Sequence, residues 1–181
     1  MNNRELFGGA FLCDIPTRFA DVSDIREIPD NQEVFTDVHT DQSIIIELLS
    51  MIEEEGHAAL KHHFEQLAED NDSHQNQIQV IQPLSTTDMP YFGDEHYKGL
   101  IIGSQQISKY HEQAPNLVNV YMVLLRLKPY ATDILISFND PVVISQQSSS
   151  AHATPTNPAN NLEIFKQIIK TFQLKDPSIF G

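Results

Sequence analysis

Asn116-Leu117-Val118-Asn119-Val120-Tyr121-Met122-Val123-Leu124-Leu125-Arg126-Leu127-Lys128 is followed, after Pro129-Tyr130-Ala131, by Thr132-Asp133-Ile134-Leu135-Ile136-Ser137-Phe138-Asn139. Both runs are rich in the β-branched and large apolar residues that suit a pleated sheet. The link between them is far too short for a parallel crossover, so the two runs predict an antiparallel hairpin. Tyr97–Ser108 reads as a third long strand, joined to the hairpin through His111–Pro115.

Working outward, Glu5–Leu12 predicts two short strands around Gly8-Gly9, or one strand with a bulge. Phe19–Asp30 reads as a loop with a helical turn, and Glu33–Asp37 as a short strand. Asp41–Asp70 reads as the helical region. There Ile44, Ile45, Leu48, Leu49 and Ile52 fall on one helical face, Thr40 or Asp41 caps the start, and Gly56 breaks or bends the helix. Glu53-Glu54-Glu55 would then lie near a helix C-terminus, an unfavourable place that argues for a bend. Gln77–Leu84 predicts a strand with Ile78 and Val80 pointing one way, and Ser85–Asp94 a loop.

Gln146–Asn160 is poor in apolar residues and predicts a mobile loop. Leu162–Phe172 predicts a closing helix, with Ile179 and Phe180 tucked back onto the core. Strands outnumber helices. The expected fold is α+β: an antiparallel sheet of about six strands flanked by helices, in one domain over residues 1–181.

Charge is unevenly placed. Residues 1–76 carry 17 acids and four bases, while 77–181 carry eight acids and seven bases, so nearly all of the net −14 lies in the first part. This asymmetry disfavours nucleic acid and anionic membrane and favours a basic protein partner. Cys13 alone supports no intramolecular disulfide or multi-cysteine zinc site, and its apolar run predicts a buried, inert thiol. The polar opening at Met1–Glu5 and the lack of a long apolar run predict an intracellular, soluble protein. The mass of 20.5 kDa suits both nucleus and cytoplasm.

Chemistry-bearing motifs are sparse. His57, His62 and His63 lack the spacing that presents two metal ligands on one helical face, so no metal is expected. No nucleophile elbow, phosphate loop or dinucleotide fingerprint occurs, and a glycosidase-like use of Asp30 and Glu33 lacks the aromatic platforms a sugar needs. Neither cofactor nor catalytic residue is expected.

What stands out is Phe19–Asp41, with seven carboxylates and one arginine. Asp21, Asp24, Glu27, Asp30 and Glu33 recur every third residue across Pro29, which no ordinary helix tolerates there. Read as plain structure, Asp30 and Asn31 form a turn and Glu33 faces water. Read as function, Asp30 and Glu33 offer carboxylates to Lys or Arg across an interface. Local chemistry leaves the two readings balanced.

Leu6-Phe7-Gly8-Gly9-Ala10 and Asp21–Val34, with Ile28-Pro29-Asp30-Asn31-Gln32-Glu33 at the centre of the latter, resemble the Ran guanine nucleotide release factors, the Mog family. So do Asp41-Gln42-Ser43-Ile44-Ile45, His63-Phe64-Glu65, Leu124-Leu125-Arg126-Leu127, Thr132–Ile136 and Asp176–Phe180, in order along nearly the whole chain. The resemblance implies an α/β/α sandwich of PsbP-like fold and a protein that binds the GTPase Ran. It further implies release of Ran's bound GTP in support of nuclear import, as a GTPase regulator without catalytic chemistry of its own, with room for a further Ran-binding protein.

The resemblance assigns Ran binding to Asp30 and Glu33, and also to Asp21, Asp24, Arg26 and Glu27. Charge reversal at Asp30 or Glu33 is then expected to abolish binding and leave the fold intact. Two other classes stand beside this reading: an adaptor using the same acidic face without nucleotide release, and a PsbP-like cation-binding protein.

Overall fold

The computed structural model describes residues 1–73, 75–108, 115–148 and 151–181. The sequence-derived hairpin is its centre. Strands β8 (Pro115–Leu127) and β9 (Thr132–Val143) pair antiparallel, with Arg126 opposite Asp133 and Val123 opposite Ile136. Ala131, in the left-handed region at φ 45°, closes the turn.

Five more strands complete this sheet: β3 (Ala20–Asp21), β4 (Gln32–Asp37), β5 (Gln42–Ser50), β6 (Gln75–Pro83) and β7 (Tyr97–Ser108). The order is β3-β4-β5-β9-β8-β7-β6, antiparallel at every pairing. A separate small sheet is formed by β1 (Asn2–Leu6), β2 (Phe11–Ile15) and β10 (Gln173–Leu174), in the order β1-β2-β10. Two sheets, of seven and three strands, thus stand where about six strands were expected. The α+β class is as expected.

Alternation along β8 divides the core in two. Tyr121, Val123, Leu125 and Leu127 face helix α2 (Pro158–Thr171) and the small sheet, through Phe165, Ile168, Ile169 and Phe11. Val120, Met122 and Leu124 face helix α1 (Gly56–Asp70), through Ala59, Leu60 and Phe64. With both faces of the large sheet covered, the arrangement is an α/β/α sandwich. Gly99 and Gly103 of β7 let α1 approach closely. A Cβ on Gly103 would sit 2.5 Å from the Phe64 ring and 2.6 Å from the Gln77 carbonyl oxygen. Gly103→Ala therefore overpacks this layer and lowers stability by about 1–3 kcal/mol, measurable as a shifted urea midpoint.

The helical reading of residues 41–52 is overturned. Gln42–Ser50 is strand β5, hydrogen-bonded to β4 on one side and β9 on the other. Ile44 and Ile46 are buried while Ile45 is only partly so, which is a period of two. Three consecutive β-branched residues favour this, and the pairing offered from both sides decides it. Gly56 starts α1, at φ 58°, and neither breaks nor bends it. Glu53, Glu54 and Glu55 therefore precede a helix N-terminus, where negative charge is favourable.

Smaller differences have local causes. A bulge between Ile78 and Val80 turns Val80 to solvent, while Ile78 and Ile81 pack on the α1 side. Helix α2 begins at Pro158, inside the expected 146–160 loop, because the Asn157 side chain caps it by accepting from the Ala159 N–H. Positions 149–150 of that loop, and 111–114 of the expected β7–β8 connection, lie outside the described residues. In the tail, Phe180 stacks on Tyr130 at 4.5 Å and meets Phe11 edge-on, but Ile179 stays partly exposed.

Candidate functional site

Between β3 and β4 the chain is held from within. The Asp21 carboxylate caps a 3-10 turn at Val22–Asp24 by accepting from the Ser23 N–H and hydroxyl, at 2.8 and 2.7 Å. The N–H groups of Ile25 and Arg26 both donate to the Val22 carbonyl. Past Pro29, the Gln32 N–H donates back to the Pro29 carbonyl, which makes the turn at Asp30-Asn31. Asn31 then locks onto β5: its carbonyl accepts from Leu48 N–H and its side-chain amide donates to the Leu48 carbonyl.

On this frame the six expected residues separate into two groups. Asp24, Arg26, Glu27 and Asp30 are exposed, and among the described residues their side chains form no hydrogen bond or ion pair. Asp21 and Glu33 are partly buried and already committed. Glu33 does not simply face water: its carboxylate accepts from the Phe7 N–H, tying the acidic segment to the 3-10 turn at Phe7–Gly9. Phe7 itself sits at φ 51°, an uncommon conformation for a residue other than glycine. The bond from Glu33 helps to hold it there.

Burial pushes the Glu33 carboxyl above its ordinary value; the Phe7 N–H opposes this and the neighbouring Asp21 reinforces it. A raised carboxyl pKa means that the folded state binds the proton more tightly than the unfolded one. Its contribution to stability is therefore full below the ordinary value of 4.5 and is lost as pH rises through the folded value. Glu33→Gln keeps an acceptor for Phe7, so its stability should equal or exceed wild type at pH 7 and lack this slope. Urea denaturation at pH 4 and pH 7 measures both.

Charge reversal at Glu33 consequently differs from charge reversal at Asp30. Lysine at position 33 would leave the Phe7 N–H without its acceptor and bury part of a cation, so Glu33→Lys is expected to lose stability, whereas Asp30→Lys is expected to keep the fold.

Two neighbours were missed by reading the sequence. Ile25 is 73% exposed between Asp24 and Arg26. Its identity as an aliphatic residue gave no sign of this, because only the tight turn points it outward. Glu47 of β5 accepts from the Gln32 side chain at 2.6 Å, which adds a carboxylate beside the segment. Period-two reading of 42–50 would have found it.

The histidines serve structure where they are buried. His63 and Asp133 approach to 2.9 Å, while Arg126 donates to both Asp133 oxygens at 2.7 and 2.8 Å and to the Glu54 carbonyl. Burial works against charge on Asp133, but the His63 and Arg126 hydrogen bonds outweigh it and hold the carboxyl below its ordinary value. Cys13 is buried, which pushes its thiol up to about 12 and keeps it unreactive. Among the described residues no group of three or more His, Cys, Asp or Glu side chains is placed to hold a metal, and no helix is long and apolar enough to cross a membrane.

Fold and site together describe an α/β/α sandwich with an exposed acidic segment held by backbone hydrogen bonds at both ends. The family model described as Ran-interacting Mog1 protein matches residues 4–141, and the chain belongs to that family. It is 39% identical to the Ran guanine nucleotide release factor of Danio rerio, with 99% of this chain and 100% of that protein covered. It is 33% identical to the nuclear import protein mog1 of Schizosaccharomyces pombe, at 98% and 99% coverage. The crystal structure of the Saccharomyces cerevisiae Ran-binding protein Mog1p superimposes with a TM-score of 0.73 at 25% identity, over the full length of both chains.

Proposed function

We propose that this chain is a single Ran-binding domain that promotes release of GTP from Ran and thereby supports nuclear protein import. The observation that carries the docking half of the reading is the set Asp24, Glu27 and Asp30, exposed and without partners among the described residues, on a backbone held at both ends. Carboxylates left unpaired by their own fold are available to Lys and Arg of a partner. Names borne by relatives, a Ran guanine nucleotide release factor and a nuclear import protein, support the identity of that partner and the process. The protein acts in both nucleus and cytoplasm as a GTPase regulator and supplies no catalytic group of its own.

The mechanism follows from linkage. A GTPase holds its nucleotide through a phosphate-cradling loop with its lysine and through Mg²⁺. A partner that prefers the loosened state weakens nucleotide affinity by the factor by which nucleotide weakens the partner. Asp30 and its neighbours favour that state by pairing with basic groups otherwise engaged near the nucleotide, and Glu33 holds the segment in register while they do so.

Calorimetric titration of Ran with this protein tests the docking half. Affinity should fall steadily as salt rises from 50 to 300 mM, on the order of tenfold, because the exposed charges are screened. Affinity independent of salt would remove the acidic face from the interface. The adaptor reading keeps the same face and binding but predicts no change in nucleotide release.

A further inference from the structure

The end of β5 that holds the acidic turn also holds a second turn. The Leu48 N–H donates to the Asn31 carbonyl at 2.9 Å, and three residues further on the Met51 N–H donates to the Ala131 carbonyl at 2.8 Å. The turn between β8 and β9 therefore lies about 15 Å from Asp30-Asn31, two strand spacings across and three residues along.

That second turn presents apolar surface. Pro129, Tyr130 and Ala131 are exposed, Tyr130 by 38%. The closing 3-10 turn at Pro177–Phe180 folds against it and adds exposed Pro177 and Ile179, the latter by 36%. The rings of Tyr130 and Phe180 stack at 4.5 Å, and Phe11 meets Phe180 edge-on at 6.1 Å and Phe7 edge-on at 5.9 Å. Phe7 is half-buried, and its N–H is the donor that Glu33 accepts from. An unbroken aromatic path thus runs from the acidic segment to Tyr130.

Core packing explains the inner part of this path and not the outer part. Phe11 is fully buried, whereas Tyr130 and Ile179 end in solvent. A single exposed apolar residue is ordinary, but several side by side, next to unpaired charges, follow the anatomy of an interface: an apolar centre with a polar rim. Charged groups around the shelf are already engaged, Lys128 with Glu55 at 2.9 Å and Asp176 with the Ser178 N–H at 2.9 Å. Exposed carboxylates chiefly guide encounter and orientation, while desolvated apolar anchors, Tyr prominent among them, hold a complex together. The acidic segment supplies the first and the shelf supplies the second. Among the described residues, four other than glycine have positive φ, and two of them, Phe7 and Ala131, stand at the two ends of the aromatic path. Strained positions of this kind cluster where a surface is shaped for a ligand.

We propose that Tyr130, Ile179 and Phe180, with Phe7 at the junction, form an apolar anchor surface that seats an apolar side chain of Ran while Asp24, Glu27 and Asp30 pair with its basic groups. The proposal rests on the Ran reading and extends that interface from the acidic segment to the β8–β9 turn and the C-terminal tail.

Calorimetric titration of Ran with Tyr130→Ala and Ile179→Ala, at 50 and 300 mM salt beside wild type and Asp30→Lys, tests it. Each apolar truncation should weaken binding about tenfold, and by the same factor at both salts, because apolar burial is not screened. The effect of Asp30→Lys should instead shrink as salt rises. Ile179→Ala shortens an exposed side chain, so it reads the anchor even if loss of the Tyr130 ring loosens the tail. In isotope-labelled wild type, unlabelled Ran should shift or broaden the amides of 130–131 and 178–180 together with those of 24–27 and 30. Wild-type affinity in both truncations, with Asp30→Lys still weakened, would overturn the anchor and leave the acidic face. Shifts at 130–131 that grow with the concentration of the free protein would overturn it as well, since a second copy would then cover the shelf. Failure of wild type to bind Ran would overturn the Ran reading and the anchor with it.

Discussion

Asp133→Asn is expected to lower the stability of the protein by about 3–5 kcal/mol, the usual consequence of leaving one member of a buried ion pair uncompensated. Asp133 is fully buried, receives both Arg126 hydrogen bonds, pairs with His63 and accepts from the Ile52 N–H. It thereby joins the β8–β9 hairpin, helix α1 and the segment before that helix in one network. A domain of this size has only ~5–15 kcal/mol of stability, so the variant stands close to unfolding.

The pH dependence has a definite sign. Asp133 is held below its ordinary value of 3.8, so its contribution is fully present above that value and is lost as pH falls through the depressed one. Urea denaturation of wild type and variant between pH 2.5 and 7 should show that slope in wild type only. Replacing Arg126 and Asp133 together by Met and Leu should recover much of the loss, because no buried charge is then left alone.

The second large effect is on binding. Asp30→Lys should lower Ran affinity by about 2 kcal/mol or more, roughly thirtyfold, as repulsion takes the place of an attractive contact. Its urea midpoint should match wild type, since the Asp30 side chain touches nothing whose loss the fold would register. Glu33→Lys should also lose Ran binding, but with a lowered urea midpoint, because the bond to Phe7 goes with it. The pair of variants separates a carboxylate that meets the partner from one that shapes the surface meeting it.

Much of the architecture was legible because its strongest patterns are local. Tyr97–Ser108 is a strand with the bounds read from sequence, and the β8–β9 hairpin follows from two apolar runs and a short link. Residues 42–50 were not legible. Their apolar positions satisfy a helical face as well as a strand, and only the hydrogen-bonding edges of β4 and β9, distant in sequence, decide between them. One such error moved Glu53–Glu55 to the wrong end of a helix and hid Glu47.

At the site, the position of the acidic segment was legible and the division of labour within it was not. Every third residue is acidic, yet Asp21 is spent as a cap on Ser23, Glu33 reaches the Phe7 turn and Asp30 faces solvent. No spacing rule distinguishes them. The motifs that carry the family resemblance are instead those that meet in space. Phe7 meets Glu33, His63 and Arg126 meet Asp133, and the N–H of Asp176 donates to the Ala10 carbonyl.

The release rate of fluorescent GTP from Ran, with and without this protein and with its Asp30→Lys variant, tests the central claim most directly. Acceleration by the wild-type protein that is lost in a stably folded Asp30→Lys variant is the predicted result. Measurable binding without acceleration would contradict the release-factor reading and leave an adaptor, and full acceleration by Asp30→Lys would contradict the assignment of the acidic segment.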